Sequence, residues 1–181
     1  PFDQDKHSPK RHLVKVLAAN LKSDTLARQT AEFNEPNRHT GQVAYNHDGS
    51  VMYYTICEFI NAADIRCDLY MRKRTGRSVW SAPIKLPEPV NKAGYTTTGP
   101  SVGYDPKTGQ ETLYFASDRP GGPGKRDIWR TAVQPYGFAA PVPLDTMINT
   151  KEDDVTPHYH SGSKTLYFST NGRRSMGGYD I

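Results

Sequence analysis

Three short patterns recur along this chain in a fixed order, and no other feature of the sequence restricts its fold as strongly. Val51-Met52-Tyr53-Tyr54 returns as Thr112-Leu113-Tyr114-Phe115 and again as Thr165-Leu166-Tyr167-Phe168, at intervals of 61 and 53 residues. Asp68-Leu69-Tyr70 returns as Asp127-Ile128-Trp129 and then as Asp180-Ile181. Trp80-Ser81-Ala82-Pro83-Ile84-Lys85-Leu86 returns 58 residues on as Phe138-Ala139-Ala140-Pro141-Val142-Pro143-Leu144, and Asn34, Asn91 and Asn149 close successive units. Repeats of this length are supersecondary units that bury their apolar faces by stacking on one another.

Each unit divides into four strand-like pieces, which in the middle copy are Pro100 to Tyr104, Glu111 to Ala116, Asp127 to Val133 and Gly137 to Val142. Turn sequences separate the first two pieces: Asn46-His47-Asp48-Gly49, Asp105-Pro106-Lys107-Thr108-Gly109 and Ser161-Gly162-Ser163, in each of which Gly is expected to supply the positive φ. With 15 Gly and 14 Pro spread through 181 residues, few windows remain for a long helix, and the chain reads as all-β. Four strands per unit predict β-propeller blades, four-stranded antiparallel sheets packed on both faces. Leu113 and Phe115 then lie on one face and Thr112, Tyr114 and Ala116 on the other. The predicted division is 1–36 as the end of a preceding blade or a linker, 37–94 and 95–152 as blades, and 153–181 as a partial blade. Helical spacing occurs only at Leu21 to Phe33, enough for one or two turns, and His12 to Leu17 reads as a strand of an earlier blade. Two whole units and two fragments make an incomplete ring, which leads us to expect a segment of a larger protein.

Hydrophobic residues at 35% and aromatics at 10% exclude a disordered chain, and no apolar run approaches the ~20 residues that span a bilayer, so direct membrane insertion is not expected. The first residues lack the basic-then-apolar layout of a secretory signal. The net charge of +4 is dispersed from Lys6 to Arg174 and reads as a solvated surface, which argues against a nucleic-acid partner.

Leu113-Tyr114-Phe115-Ala116-Ser117-Asp118-Arg119-Pro120-Gly121-Gly122, then Asp127-Ile128-Trp129 and Ile148-Asn149-Thr150, resemble the WD40-like, TolB-type propeller repeats of large envelope proteins from Bacteroidetes-type bacteria. Asp154-Val155-Thr156-Pro157, Leu166-Tyr167-Phe168-Ser169 and Gly177-Gly178-Tyr179-Asp180-Ile181 carry the same resemblance in the third copy. The resemblance implies a periplasmic or outer-membrane-associated setting and partners among other envelope proteins, including accessory parts of type IX secretion and gliding systems. It implies peptidoglycan contact only through an OmpA-type domain that this sequence does not show. The first copy departs from the pattern, with Ile56-Cys57-Glu58-Phe59 in place of Ser117-Asp118-Arg119-Pro120.

Aligned by repeat, Cys57 and Cys67 occupy facing positions across one hairpin, where the second unit has Asp118 and Arg126. Paired strand positions lie within disulfide reach, so we infer a disulfide and with it an oxidising compartment; two reduced thiols or a metal pair are the alternatives. The glycine-rich loop from Asp118 to Asp127 departs from a phosphate cradle at two required positions, since Arg126 follows Lys125 and Arg119 stands where the first Gly belongs. Its Asp118, Arg119, Lys125 and Arg126 are the candidate interaction residues. Asp127 is expected to accept backbone hydrogen bonds, with calcium ligation as the rival reading. His158 and His160 alternate on a strand and read as surface histidines rather than metal ligands. Trp80, Trp129, Tyr70 and Phe138 read as packing residues. Neither a Gly-x-Ser-x-Gly elbow nor His-Glu-x-x-His occurs, and Asp153-Asp154 reads as a polar connection, so no catalytic residue and no cofactor is expected. The function that the resemblance implies is a non-enzymatic β-propeller protein-interaction scaffold of a bacterial cell-envelope assembly. A propeller accessory to a hydrolase or peptidase, and a carbohydrate-binding propeller, are the alternatives.

Overall fold

A computed structural model of the chain describes residues 13–17, 19–20, 25–26, 33–61, 63–77, 79–105, 107–174 and 177–181. The described residues are all-β. Strands β1 (Ala19–Asn20) and β2 (Thr25–Leu26) form a short pair. The first sheet holds β3 (His39–Tyr45), β4 (Val51–Phe59), β5 (Ile65–Gly76), β6 (Val79–Trp80) and β7 (Ile84–Lys85). The second holds β8 (Thr97–Tyr104), β9 (Glu111–Ser117), β10 (Asp127–Gln134), β11 (Gly137–Phe138) and β12 (Val142–Pro143), and the third β13 (Asp154–His160) and β14 (Thr165–Thr170). All pairings between these strands are antiparallel. Of the stretch with helical spacing, Thr25–Leu26 is strand and most of the remainder lies outside the described residues, as does His12.

The fourth strand of each complete unit is broken in two, between β6 and β7 and between β11 and β12. Pro83 and Pro141 stand in the gaps, where a missing N–H removes a ladder bond. Side chains bridge the break: Arg72 Nη1 donates to Ser81 O at 2.9 Å and Thr131 Oγ1 to Ala139 O at 2.6 Å. Gly49 and Gly109 adopt φ of 68° and 70° in their hairpins, but in the third turn the left-handed residue is Lys164, at 54°, rather than the expected Gly162. His160 holds that turn, its Nδ1 accepting from Ser163 N at 3.2 Å.

β8 packs between β3 and β13, so the first strands of the three sheets lie side by side. Each is interrupted by a bulge at the same repeat position, and its left-handed residue is Gln42 (φ 53°), Gly99 (φ 64°) or Thr156 (φ 50°). The bulges meet. Gln42 Oε1 accepts from Thr98 Oγ1 at 2.5 Å and from Gly99 N at 3.0 Å.

The main core lies between the first two sheets, where Tyr53, Leu69, Leu86 and Val90 pack against Leu113, Phe115 and Trp129. The outer face of the first sheet buries Met52, Tyr54 and Ile56 beneath Phe33, Tyr70 and Trp80. On the other side of the second sheet, Tyr114 stacks on Tyr159 of the third at 5.9 Å, with Gly103 making space for the ring. Tyr53, Tyr114 and Tyr167 hold one repeat position, and their exposures of 2%, 5% and 47% follow the covering of each sheet by the next.

The repeated asparagines close the units by imitating a peptide group. Asn91 accepts from Leu69 N through Oδ1 at 2.9 Å and donates through Nδ2 to Leu69 O and Leu86 O at 2.9 and 2.8 Å. Asn149 does the same with Ile128 N, Ile128 O and Leu144 O at 2.8, 3.0 and 3.0 Å. Asn34 treats Val16 alike, at 2.9 and 3.0 Å, so Val16 holds the place that Leu69 and Ile128 hold in the later units. Thr40 N also donates to Val14 O as Asp154 N donates to Arg126 O.

Candidate functional site

β4 and β5 pair over nine positions from Phe59↔Ile65 to Val51↔Lys73, a register in which Cys57 stands opposite Cys67. The two are joined by a disulfide, with Cα atoms 4.0 Å apart. Beyond it the hairpin ends in a turn that satisfies its own polar groups: Ile60 N donates to Asp64 O at 3.0 Å, Asn61 Oδ1 accepts from Ala63 N and Asp64 N at 2.8 Å, and Asn61 Nδ2 donates to Asp64 Oδ2 at 2.6 Å. With the tip held in this way, Ile60 and Ile65 stand 47% and 42% exposed. Phe59 at the base packs on His39 at 5.2 Å.

Two pockets flank the hairpin near the meeting point of the bulges. One of 350 Å³ is lined by Cys57, Val14, His39, Thr40 and Thr55, the other of 390 Å³ by Cys67, Thr96, Asp118, Arg126 and Thr156; Gln42, Ile65 and Thr98 belong to both. All three sheets contribute to the second pocket.

The four candidate loop residues separate into different roles. Asp118 lines the second pocket and its Oδ1 accepts from Thr96 N at 2.7 Å. Arg126, half exposed, turns to Asp153 Oδ1 at 3.7 Å rather than to Asp118. Lys125 pairs with Glu152 at 2.5 Å on the surface, where Glu152 draws its ammonium pKa upward. Arg119 requires a correction, since it is buried and is no surface contact. It donates to Pro89 O at 2.8 Å, to Val90 O, to Thr97 Oγ1 at 3.0 Å and through Nε to Ser117 Oγ at 3.0 Å, lying over the rings of Phe115 and Trp129. Burial pulls its guanidinium down to about 10, which leaves it charged at neutral pH, with Glu88 and Asp118 opposing the shift. Arg173 repeats the arrangement in the third unit, bonding Met147 O and Ile148 O and lying over Phe168. The first unit has Cys57 and its disulfide in this part of the hairpin instead.

Asp127 is buried and accepts from Gly124 N at 3.1 Å, in a loop so close that a Cβ at Gly122 would overlap its carboxylate. Burial pushes its carboxyl up from the ordinary value, the Gly124 N–H opposes, and nearby Asp154 adds to the rise. Asp154 is itself buried and accepts from Thr150 N and Oγ1 at 2.5 and 2.9 Å, which makes it an internal tie at the polar connection between units. His158 and His160 are exposed, and among the described residues no group of three or more His, Cys, Asp or Glu side chains is placed to hold a metal. Trp129 and Phe138 pack on the main core, Tyr70 and Trp80 on the outer cluster.

No protein-family model matches this chain, and no curated protein matches it.

Proposed function

We propose that this chain is a β-propeller segment serving as a non-enzymatic docking scaffold in a bacterial cell envelope. The blade reading is supported by three antiparallel sheets whose first strands lie side by side with bulges at equivalent positions. The observation that carries the functional reading is the Cys57–Cys67 hairpin, which presents Ile60 and Ile65 on a tip ordered before any partner arrives. An apolar tip that is already ordered loses little conformational entropy on binding. Asp118 and Arg126 beside it supply a polar rim. A disulfide persists in the periplasm or outside the cell, and the sequence resemblance points to envelope proteins of the type IX secretion and gliding kind as partners.

The test places a photo-crosslinking residue at Ile60 and, as a control, at exposed Lys107, in protein exported to the periplasm. A discrete adduct from position 60 that is lost in Cys57→Ser is the expected result. Equal labelling from both positions, or none from position 60, overturns the reading.

A further inference from the structure

The pocket of 390 Å³ lies at the junction of the first two sheets, and β13 of the third adds Val155 to its wall. Asp118 and Arg126, which line it, carry the β9–β10 register one pair beyond Ser117↔Asp127. Facing strand positions set their Cβ atoms about 4.5–5.5 Å apart, so an anion and a cation stand side by side. They do not satisfy one another. Arg126 Nε stands 3.7 Å from Asp153 Oδ1, beyond hydrogen-bond reach, and Asp153 has its own donor in the Tyr179 hydroxyl at 2.9 Å. Among the described residues the Arg126 guanidinium donates no hydrogen bond, and Asp118 uses Oδ1 alone, accepting from Thr96 N at 2.7 Å. Gln42 is half used as well: its Oε1 accepts from Thr55, Thr98 and Gly99, while its Nε2 donates to none of the described residues.

The repeat shows that this pair of charges is not needed to close a hairpin. At the same positions the first unit has the joined Cys57 and Cys67, and the third has Asn171 and Tyr179. The pocket of 350 Å³ one junction earlier accordingly has no carboxylate or guanidinium in its wall, Cys57 standing where Asp118 stands. In the second unit a carboxylate oxygen, a guanidinium and a primary amide instead converge on a cavity whose apolar wall is Ile65, Val155 and Cys67. A few fixed polar groups in an apolar wall are the make-up of a small-molecule site. The ligand they suit carries an anion for Arg126, a cation for Asp118 close beside it, and an apolar body. In an α-amino acid the ammonium and carboxylate share one carbon, which gives the two charges that spacing, and an aliphatic side chain supplies the rest.

We propose that this pocket binds an aliphatic α-amino acid, with its carboxylate on Arg126 and Gln42 Nε2, its ammonium on Asp118 and its side chain against Ile65 and Val155. This goes beyond hairpin-tip docking, in which Asp118 and Arg126 only rim the tip.

The probe is L-leucine, titrated calorimetrically into the protein beside isocaproate, which lacks the ammonium, and isoamylamine, which lacks the carboxylate. The expected result is saturable one-to-one binding of leucine, about tenfold tighter than of either analogue, since each loses a charge-assisted contact. Asp118→Asn should erase the preference over isocaproate, and Arg126→Gln the preference over isoamylamine. Methyl resonances of Ile65 and Val155 should shift with leucine while those of Ile84 stay in place. Leucine that does not saturate up to about 10 mM, an analogue that binds equally well, or shifts at Ile84 in place of Ile65 and Val155 overturns the site. The ligand comparison uses the unaltered protein, so it decides the matter even where a variant fails to fold. Ile60→Asp removes tip docking and leaves leucine binding intact, so the two readings fail separately.

Discussion

Asn91 and Asn149 show most directly how one residue type is tied to one task. Each spans two backbone segments with three hydrogen bonds inside the protein, so Asn149→Ala removes the side-chain partner of Ile128 N and Leu144 O, while Ile128 O keeps Leu144 N. Leaving buried peptide groups unpaired should cost about 2–4 kcal/mol, measured as a lower urea midpoint with an unchanged slope. The recurrence of Asn was visible in the sequence, but its bonding was not, because the partners lie 21 and 5 residues away. Arg119 shows the opposite failure. Between Asp118 and Pro120-Gly121-Gly122 it reads as a loop residue, yet Phe115 and Trp129 supply rings, and Pro89 and Val90 carbonyls, from elements that only the fold brings near. Asp127 and Glu111 both have carboxyls raised by burial from 3.8 and 4.5. A raised folded-state value means the native state holds its proton longer than the unfolded one. The stability these groups contribute is therefore complete below those ordinary values and is lost as pH rises through the raised ones. Melting temperatures of Asp127→Asn and the parent, measured in steps upward from pH 3, should show the variant losing less over that window.

At the scale of elements, the first and second hairpins solve one problem with different chemistry. The first is tied by a disulfide across ten residues, the second by Arg119 reaching back to the preceding turn. The pair Cys57→Ser with Cys67→Ser should cost about 2–3 kcal/mol, as expected for a short closed loop. Because the remaining β4–β5 ladder is unaffected, far-ultraviolet circular dichroism should be unchanged, and faster amide exchange should be confined to the hairpin end. Facing positions of the cysteines followed from repeat alignment, since a strand's period of two leaves little freedom in register. The bulges at Gln42, Gly99 and Thr156 were hidden. Thr and Gln are unusual choices for a left-handed residue, and what holds them there is contact between the first strands of neighbouring sheets.

For the whole molecule, the first two sheets share one core, and the third contributes two strands against Tyr114. Leu113→Ala, at a fully buried position between those sheets, should cost about 2–5 kcal/mol and lower a single shared transition for both rather than split it. Native-state hydrogen exchange should show β13 and β14 opening at lower free energy than β4 and β9, because fewer of their residues are buried. The repeat by itself determined the all-β class, the four-strand rhythm and the facing cysteines, because backbone alternation and turn chemistry act over a few residues and leave their mark in the order of side chains. The tertiary structure decided which charged loop residues are buried, where the first strands bulge, and which Tyr of three equivalents meets solvent. Those outcomes depend on what packs against each unit, and side chains acquire such neighbours only when segments tens of residues apart are brought together.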